Sequence, residues 1–349
     1  MTDTPRLSRT FQTAPAGVPR ENSAKYLQSG LSTEGFQIPD WLVPDLEDGT
    51  APDMKETGLE NTITLLPEYE TFPGEIWPRV EWAYDDPTLR ERGTEQIAAL
   101  VGEVGEHLDG FVVPKVGRLA DVEAAVATVA DAEREFGFPE GTFEVSVIVE
   151  TAAAKSDLTP IARFGADSRL AGLVFGPVDY AAELGGREIG GQRPRWAGLL
   201  EALSNETSAS GLVGIGGPFD RLFETRAGVR FYNADGYADQ VEAEARVGLD
   251  GSWSLYPKQT VQANRIHMPT GAELSHAVRA IEEFDDAKSG GTGAVTIDGQ
   301  MVDEATYKNF VNTVETVRAI HDTRGEQAEA VYDAALLDRA LGLDTDYRG

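Results

Sequence analysis

The stretch Trp41-Leu-Val-Pro-Asp-Leu-Glu-Asp-Gly-Thr-Ala-Pro-Asp-Met-Lys55 decides the predicted fold. An apolar, extended segment runs directly into three acids, Asp45, Glu47 and Asp48, and then into Gly and Pro. In α/β proteins the chemistry lies where a strand ends and a loop begins. The same arrangement recurs along the chain, so the sequence predicts a barrel enzyme with carboxylates gathered at one rim.

Short apolar runs bounded by turn residues predict eight strands, with helical patterns between most of them. The strands are predicted over residues 9–13, 41–45, 75–82, 110–116, 145–151, 170–176, 211–215 and 252–256. The clearest helical pattern covers residues 118–136, where Leu119, Val122 and Val126 share a face. Apolar strands that alternate with amphipathic helices indicate a parallel sheet, here a (β/α)₈ TIM barrel. An open doubly wound sheet is the rival, but no dinucleotide-type Gly-rich turn follows the first strand.

The pattern changes after Pro269, which divides the chain into residues 1–269, the barrel domain, and residues 270–349, a C-terminal helical extension. Helices of the extension are predicted over residues 271–288, 304–321 and 326–341. The Gly-rich stretch Ser289-Gly-Gly-Thr-Gly293 interrupts them and predicts a hinge, so the extension is expected to act as a lid.

The composition excludes several classes of protein. The chain has 349 residues, 59 acids against 30 bases, a net charge of −29 and no Cys. Without Cys there are no disulfides, thiolate nucleophiles or Cys-based zinc sites. No basic face could neutralise phosphates, so no nucleic-acid partner is expected. No apolar run approaches the ~20 residues of a membrane span, and no signal core follows Met1, so we expect a cytoplasmic protein without membrane contact.

The excess of acids predicts adaptation to salt. A strongly acidic, Lys-poor, globular chain is typical of cytosolic proteins of extreme halophiles, where salt screens the self-repulsion of the surface. The alternative is a disordered acidic protein. A hydrophobic content of 41%, with 14 Phe and 10 Tyr, argues against it.

Carboxylates must carry the chemistry, because none of the four His ends a predicted strand. Oxygen ligands without His or Cys favour Mg²⁺, Mn²⁺ or Ca²⁺ over zinc. Glu150 ends one buried strand and Asp179 follows the next, so together they predict a Mg²⁺ site at the rim. The alternatives are a salt bridge from Glu150 to Arg79 or Arg163, and an N-cap role for Asp179 in a helix over residues 180–184.

Three other charged residues have an open interpretation. Arg79 lies inside an apolar strand, where its fork could bind a carboxylate or oxyanion, or pair with Glu47 or Asp48. Asp303 stands where a helix begins, which is typical of an N-cap. Lys258, after the last strand, is either solvated or an anion contact.

Taken together, these segments resemble the HpcH/HpaI aldolase and citrate lyase β-subunit superfamily, in particular its malyl-CoA and β-methylmalyl-CoA lyases and the short malate synthases of halophilic archaea. The resemblance covers residues 9 to about 313. The motifs that carry it are Asp45-Leu-Glu-Asp48, Ala51-Pro-Asp-Met-Lys55, Pro78-Arg-Val80, Val113-Pro-Lys-Val116, Ile148-Val-Glu-Thr151, Gly176-Pro-Val-Asp-Tyr180, Gly217-Pro-Phe219, Tyr256-Pro-Lys-Gln259 and Gln300-Met-Val-Asp303.

The resemblance implies roles for the positions that match. Glu150 and Asp179 match the metal ligands, and Arg79 matches the catalytic Arg that contacts glyoxylate and the thioester enolate. Glu47 and Asp48 match an acidic pair hydrogen-bonded near the metal-bound water.

The remaining matches concern the lid and coenzyme A. Asp303 matches an Asp that a mobile C-terminal lid brings over the active site of a neighbouring subunit. Arg20 and Lys25 match contacts to coenzyme A. Two of the motifs depart from the family pattern: Leu255-Tyr256 replaces Ile-His in one, and Gly216 replaces an Asp in the other.

The implied activity is that of a Mg²⁺-dependent acyl-CoA lyase, with Mn²⁺ as the alternative ion. It would reversibly cleave β-methylmalyl-CoA to propionyl-CoA and glyoxylate, and malyl-CoA to acetyl-CoA and glyoxylate. A homo-oligomer, trimer or hexamer, is expected. The alternatives are a malate synthase, which adds thioester hydrolysis, and a citrate lyase β-subunit that is silent without partner subunits.

Overall fold

The computed structural model describes residues 6–187 and 196–345. The described chain divides into two compact units. The first is Ser8–His267, and the second holds residues 268–345 together with residues 6 and 7. Residues 1–5 of the predicted barrel domain and residues 346–349 of the predicted extension lie outside the described residues.

Parallel strands in the first unit form two four-stranded sheets. One sheet has the order β10-β1-β2-β3, with strands β1 (Thr10–Pro15), β2 (Trp41–Asp45), β3 (Glu75–Ile76) and β10 (Ser252–Ser254). The other has the order β4-β5-β6-β7, with strands β4 (Gly110–Val113), β5 (Glu144–Val149), β6 (Leu170–Phe175) and β7 (Val213–Ile215). The predicted alternation of parallel strands and helices is therefore confirmed. A short antiparallel hairpin, β8 (Phe223–Arg226) and β9 (Val229–Tyr232), was not predicted.

Helices follow the strands through most of this unit. They are α1 (Lys25–Leu31), α2 (Lys55–Leu65), α3 (Pro87–Val104), α4 (Leu119–Phe136), α5 (Ala152–Ser156), α6 (Leu158–Gly165), α7 (Pro177–Glu183), α8 (Ala197–Ser210), α9 (Ala234–Arg246) and α10 (Pro257–Ile266). The strongest helical pattern is thus confirmed in α4, which ends at Gly137 with φ of 79°, the left-handed conformation that Gly adopts readily after a helix. Among the described helices, none has the length and apolarity to cross a membrane.

Isolated parallel bridges link the two sheets on both sides. Arg79, beyond β3, pairs with Asp45 of β2 and with Val112 of β4. On the other side Ile215 of β7 pairs with Gly251, directly before β10. Every element of sheet pairing described in this unit, apart from the β8–β9 hairpin, is therefore parallel.

The predicted strand over residues 75–82 was too long. The regular strand ends at Ile76, and Pro78, which has no N–H to donate, follows two residues later. The chain stays extended beyond it, because the Arg79 N–H donates to the carbonyl of Pro44 at 2.9 Å. Pro78 thus shortens the regular hydrogen bonding of β3, while the backbone after it stays extended beside β2.

Buried side chains of alternate residues pack on opposite sides of the strands, as the two-residue period requires. Along β5, Val147 and Val149 belong to a large cluster shared with the helices, whereas Ile148 belongs to a smaller one. The buried members of the smaller cluster are Phe11, Trp41, Val43, Trp77, Val112, Ile148, Val174, Ile215 and Trp253. Both sheets contribute to it, and the Trp41 and Trp77 rings stack with centroids 4.3 Å apart.

The second unit is mainly helical. Its elements are α11 (Gly271–Ser289), β11 (Val295–Ile297), β12 (Gln300–Val302), α12 (Glu304–Val331) and α13 (Ala334–Gly342). Thr270 and Glu273 form a capping box at the start of α11. Two helical stretches make up α12, and the non-helical torsion angles at Arg324 separate them, so the break predicted between residues 321 and 326 is confirmed. The second stretch ends at Val331, and α13 covers the rest of the segment predicted as the last helix.

Candidate active site

Charged side chains collect at the carboxyl ends of several parallel strands in the first unit. Asp45 is the last residue of β2, Lys115 lies two residues beyond β4, and Glu150 directly follows β5. Asp179 lies in the first turn of α7, which follows β6. Parallel strands place these ends at the same edge, so the sequence segments singled out above do converge.

Arg79 is buried and held by two carboxylates. Its Nε donates to Oδ1 of Asp45 at 2.9 Å and a terminal nitrogen donates to Oδ2 at 2.5 Å, which makes a bidentate pair. The other terminal nitrogen lies 3.3 Å from Oε2 of Glu47. Burial opposes the charge, but Asp45 and Glu47 more than offset it and raise the pKa of Arg79. The ion pair expected with Glu47 is therefore present, and Asp45, which was not expected, is the stronger partner.

Asp45 is itself fixed by the loop that follows it. The backbone N–H groups of Glu47 and Gly49 donate to its two carboxylate oxygens at 2.9 and 3.0 Å. A Cβ at position 49 would collide with Oδ2 of Asp45, so only Gly fits there without moving the carboxylate. The turn Asp45–Gly49 therefore fixes the Asp45 carboxylate, and this carboxylate orients the guanidinium of Arg79.

Glu47 and Asp48 both contact the ammonium of Lys115. The ammonium contacts Glu47 and lies 2.8 Å from Oδ2 of Asp48, and the Asp48 N–H donates to Oε2 of Glu47 at 2.7 Å. Burial raises the pKa of Glu47 despite the nearby cations. Partial burial acts the same way on Asp48, but hydrogen bonds from Lys115 and Glu47 outweigh it and lower the pKa of Asp48. The cation that contacts the Asp48 carboxylate is thus Lys115 and not Arg79.

Glu150 is only 3% exposed and forms no ion pair within the described chain, so the salt bridges considered with Arg79 and Arg163 are absent there. Its Oε1 accepts the backbone N–H of Lys115 at 2.8 Å. Burial, and next the charge of Asp179, raise the pKa of Glu150 to about 8. A Cβ at Gly176 would collide with this side chain, so the Gly at that position leaves the carboxylate its space.

Asp179 does not cap its helix. The helix begins at Pro177, before Asp179, and its N-cap residue is Gly176 without a side-chain cap. No donor or cation among the residues described here contacts the Asp179 carboxylate. Glu150 and Asp179 therefore place two acids close together, one of them buried, without a counter-charge of their own. Such an oxygen pair fits a hard divalent cation. Within residues 6–187 and 196–345, no group of three or more His, Asp or Glu is arranged to hold a metal.

Asp303 lies in the second unit and caps α12. Its Oδ1 accepts the N–H and the hydroxyl of Thr306, each at 3.0 Å. These hydrogen bonds lower the pKa of Asp303. The N-cap interpretation is therefore correct, and the lid function stays a prediction.

Arg20 and Lys25 lie after β1, where Arg20 is exposed and Lys25 begins α1 with its ammonium 4.6 Å from the Tyr26 ring centre. Lys258 is exposed, 6.0 Å from the ring of Tyr232. The structure brings none of these three cations to the carboxylates, and contact of the first two with coenzyme A stays a prediction.

Sequence reasoning missed the roles of Asp45 and Lys115. Asp45 had a usable signal, because it is the acid that ends the apolar strand and begins the turn Asp45-Leu-Glu-Asp-Gly49. Lys115 had a weaker signal, because it stands in the motif Val113-Pro-Lys-Val116, but its contacts depend on a backbone angle and on residues far away in the chain.

The sequence and structure match those of known proteins. A family model described as HpcH/HpaI aldolase/citrate lyase matches residues 28–252. The L-malyl-CoA/beta-methylmalyl-CoA lyase of Haloarcula marismortui is 65% identical over 97% of this chain and 98% of its own length. The malate synthase of Haloferax volcanii is 28% identical over 95% of this chain and 96% of its length. A solved structure titled as the magnesium/glyoxylate complex of that synthase aligns with a TM-score of 0.70 at 30% identity, covering 97% of this chain and 99% of the other.

Proposed function

The chain belongs to the HpcH/HpaI aldolase/citrate lyase family and is a carbon–carbon lyase, and we propose that it cleaves L-malyl-CoA and β-methylmalyl-CoA to glyoxylate and an acyl-CoA. The observation that carries the proposal is 65% identity, along almost the whole of both chains, to a protein named as a lyase of these two thioesters. The alignment with the Haloferax volcanii synthase extends over 428 positions for this 349-residue chain, so long gaps separate the two.

The two sheets are proposed to be the halves of one closed (β/α)₈ barrel. The bridges at Arg79 and at Ile215 support this, because they lie on the two sides where a barrel would have to close. The small cluster that includes Trp41, Ile148 and Trp253 supports it as well, since both sheets contribute side chains to it, as a barrel interior requires.

Mg²⁺ is the proposed metal, and Mn²⁺ suits the same oxygen ligands. Glu150 and Asp179 would hold it, and when bound it polarises the carbonyl oxygen of glyoxylate as a Lewis acid. The pair fits because neither carboxylate has a cation of its own among the described residues, while burial already makes the charge on Glu150 costly. Glu47 and Asp48, paired with Lys115, form the acidic shell beside the site.

Arg79 is proposed to stabilise negative charge on the thioester oxygen. A guanidinium has five N–H groups, and contacts with Asp45 and Glu47 occupy three of them. Two remain for an oxyanion that forms when the carbon–carbon bond breaks. Because Asp45 fixes the plane of the fork before substrate binds, little reorganisation is needed at that moment.

Proton transfer is assigned to Asp303. In cleavage, the hydroxyl gives its proton to solvent water and becomes the aldehyde oxygen of glyoxylate, while the bond between the hydroxyl-bearing carbon and the α-carbon breaks and its electrons form the enolate of the acyl-CoA. A protonated Asp303 would then return a proton to the α-carbon, and in condensation the carboxylate would remove it. This requires the C-terminal lid to bring Asp303 from its capping position to an active site, which we propose is that of a neighbouring subunit in a homo-oligomer. Arg20 and Lys25 would contact the phosphates of coenzyme A.

The experiment that tests the activity runs the reaction in the direction of condensation. Purified protein is incubated in molar KCl with Mg²⁺, glyoxylate and propionyl-CoA or acetyl-CoA, while thioester products are followed by mass and free coenzyme A by a thiol assay. A lyase yields β-methylmalyl-CoA or malyl-CoA without free thiol. Release of thiol in step with condensation would identify a malate synthase instead, and no product in any condition would favour a silent subunit.

A further inference from the structure

The backbone of Lys115 has an uncommon conformation for a residue with a side chain. Its φ angle is 47°, in the left-handed region. In the described chain only two other non-glycine residues, Ala227 and Asp298, have positive φ, and both lie in the turns of antiparallel hairpins, where this conformation is ordinary. Lys115 instead follows the parallel strand β4. A strained residue persists where its surroundings hold it, so its contacts indicate its role.

Lys115 contacts both groups of carboxylates, with different atoms. Its backbone N–H donates to Oε1 of Glu150 at 2.8 Å, and its ammonium contacts Glu47 and Asp48. No other residue in the described part of the chain forms hydrogen bonds to both groups. Because φ sets the angle between the N–H and the side chain, an ordinary negative φ would turn one of them away from its partner.

The ammonium also controls the acids that surround Arg79. Glu47 accepts from Lys115 and lies 3.3 Å from Arg79, while Asp48 is bonded to Glu47 through its N–H. Without the ammonium, Glu47 and Asp48 would repel each other, and Glu47 would no longer be fixed beside Arg79.

We propose that Lys115 is a positioning residue that couples the cation site to the acidic pair beside Arg79. Its backbone holds one oxygen of Glu150 so that the other, beside Gly176, is directed to the cation, and its side chain holds the Glu47–Asp48 pair in place beside Arg79. This inference rests on the proposed function, in which Glu150 is a metal ligand.

Three substitutions separate the two contacts. Lys115→Gly, Lys115→Met and Lys115→Val all remove the ammonium. They differ in how well they accept the left-handed backbone: Gly adopts it freely, Met as readily as Lys, and the β-branched Val poorly. Lys115→Arg keeps the positive charge. Two control variants are Lys155→Met, which removes a Lys charge elsewhere, and Ala227→Gly, which relaxes a left-handed residue in the β8–β9 turn.

The readouts are Mn²⁺ affinity by electron paramagnetic resonance without substrate, and kcat with malyl-CoA. The Gly and Met variants should bind Mn²⁺ within roughly threefold of the parent, while Val should bind at least ~tenfold more weakly than Gly, as expected for a lost hydrogen bond to a charged group. All three should lose kcat by at least ~tenfold because Glu47 is no longer held in place beside Arg79, and Lys115→Arg should recover part of that loss. The controls should match the parent.

Equal Mn²⁺ affinity of the Gly and Val variants would overturn the backbone contact. Parental kcat in the Gly and Met variants would overturn the contact through the ammonium. If the Val variant does not fold by circular dichroism, the kcat of the Gly, Met and Arg variants still decides the second point. Mn²⁺ binding needs no substrate, so the two proposals can fail separately. A parent protein that binds Mn²⁺ but cleaves no malyl-CoA would refute the proposed function. It would leave the contact between Lys115 and Glu150 unaffected.

Discussion

At the scale of single residues, the site is built by pairing each charge with a partner that also orients it. Asp45 fixes Arg79 in a bidentate pair, and two backbone N–H groups fix Asp45. Glu150 and Asp179 are the exception, since they approach each other without a cation among the described residues. The two carboxylates carry an excess of negative charge that suits a metal ion. Arg79 beside them keeps N–H groups that Asp45 and Glu47 do not use, and these suit an oxyanion next to the metal.

The Arg79→Lys variant tests whether the planar fork matters. A Lys ammonium keeps the charge but cannot bind Asp45 through two parallel hydrogen bonds and also reach a substrate oxygen. We expect kcat, measured on protein that circular dichroism shows to be folded, to fall by roughly 10²–10³-fold, the loss seen when one oxyanion donor is removed. Turnover near that of the parent would show that Arg79 serves only the ion pair with Asp45.

The sequence identifies the charged residues that follow or interrupt apolar strands, but it does not identify the partners of their side chains. Glu150, Asp179 and Arg79 stand out because an apolar run stops at, or contains, a charge, and a one-dimensional pattern contains that information. The pairing of Arg79 with Asp45 does not follow from the pattern, because Glu47 and Asp48 offer equal charge at almost the same place in the chain. The role of Lys115 depends on φ, and no residue type in the sequence signals a left-handed Lys.

At the scale of elements, helix α9 holds the loop after β7 through a buried acid. Oε2 of Glu244 accepts the Ser252 hydroxyl at 2.5 Å, and Oε1 accepts the N–H of Gly217 at 3.2 Å. A Cβ at Gly216 would collide with this carboxylate. Glu244 therefore occupies the space that a side chain at position 216 would need.

The acid Glu244 should make stability depend on pH. Burial raises its pKa to about 8, and its hydrogen bonds lower the pKa only in part. In the unfolded chain a Glu ionises near ~4.3. The folded state therefore binds more protons between these values, and the free energy of unfolding falls as pH rises from 5 to 8. Relative to Glu244→Gln, the parent should lose roughly 2–4 kcal/mol over this range.

The measurement is denaturant unfolding of both proteins at several pH values. The control is Glu242→Gln, an exposed acid of the same helix that pairs with Arg246, and its pH dependence should follow that of the parent. A parent and a Glu244→Gln variant whose stabilities run parallel from pH 5 to 8 would show that the carboxylate ionises in the fold without cost.

The β12–α12 junction permits a test that separates capping from catalysis by Asp303. Asn caps a helix nearly as well as Asp but cannot exchange a proton, so Asp303→Asn should change stability by less than about 0.5 kcal/mol. Turnover should instead fall by several orders of magnitude. Mixing inactive Asp303→Asn with inactive Glu150→Gln subunits should restore part of the activity, because some interfaces then pair an intact lid with an intact metal site.

Two results would contradict this account of Asp303. Full activity of Asp303→Asn would leave the residue as a cap alone. Reassembled mixed oligomers without any recovery, despite proven subunit exchange, would place the lid over the active site of its own subunit.

Element boundaries were predictable where the hydrophobic period was long. Helices α4 and α11 were predicted within one residue at each end, because an apolar stripe and a capping signal agree. The β8–β9 hairpin was missed, since its strands have four residues each and expose Phe223, Val229 and Phe231 rather than alternating. The break predicted between residues 321 and 326 is confirmed by the non-helical torsion angles at Arg324, which stands between Thr323 and Gly325, two poor helix formers.

At the scale of the whole molecule, surface charge should decide the conditions under which the protein is stable. A net charge of −29 on one chain repels itself strongly at low ionic strength. The Debye length falls from ~10 Å at 0.1 M salt to ~3 Å at 1 M, which removes most of this repulsion. We expect the melting temperature to rise steadily from ~0.1 to ~2 M KCl. A melting temperature that stays flat or falls with salt would refute the adaptation to high salt.

The central claim is that the protein is a metal-dependent lyase, and one assay tests it most directly. The parent and the Glu150→Gln variant are each given malyl-CoA in molar KCl, with Mg²⁺ or with excess EDTA. Glyoxylate, acetyl-CoA and free coenzyme A are quantified in each sample. We expect the parent with Mg²⁺ to form glyoxylate and acetyl-CoA in equal amounts without free coenzyme A, and both EDTA and the substitution to abolish the products while the protein stays folded. Undiminished cleavage in EDTA or by Glu150→Gln, or free coenzyme A appearing in step with glyoxylate, would contradict a metal-dependent lyase.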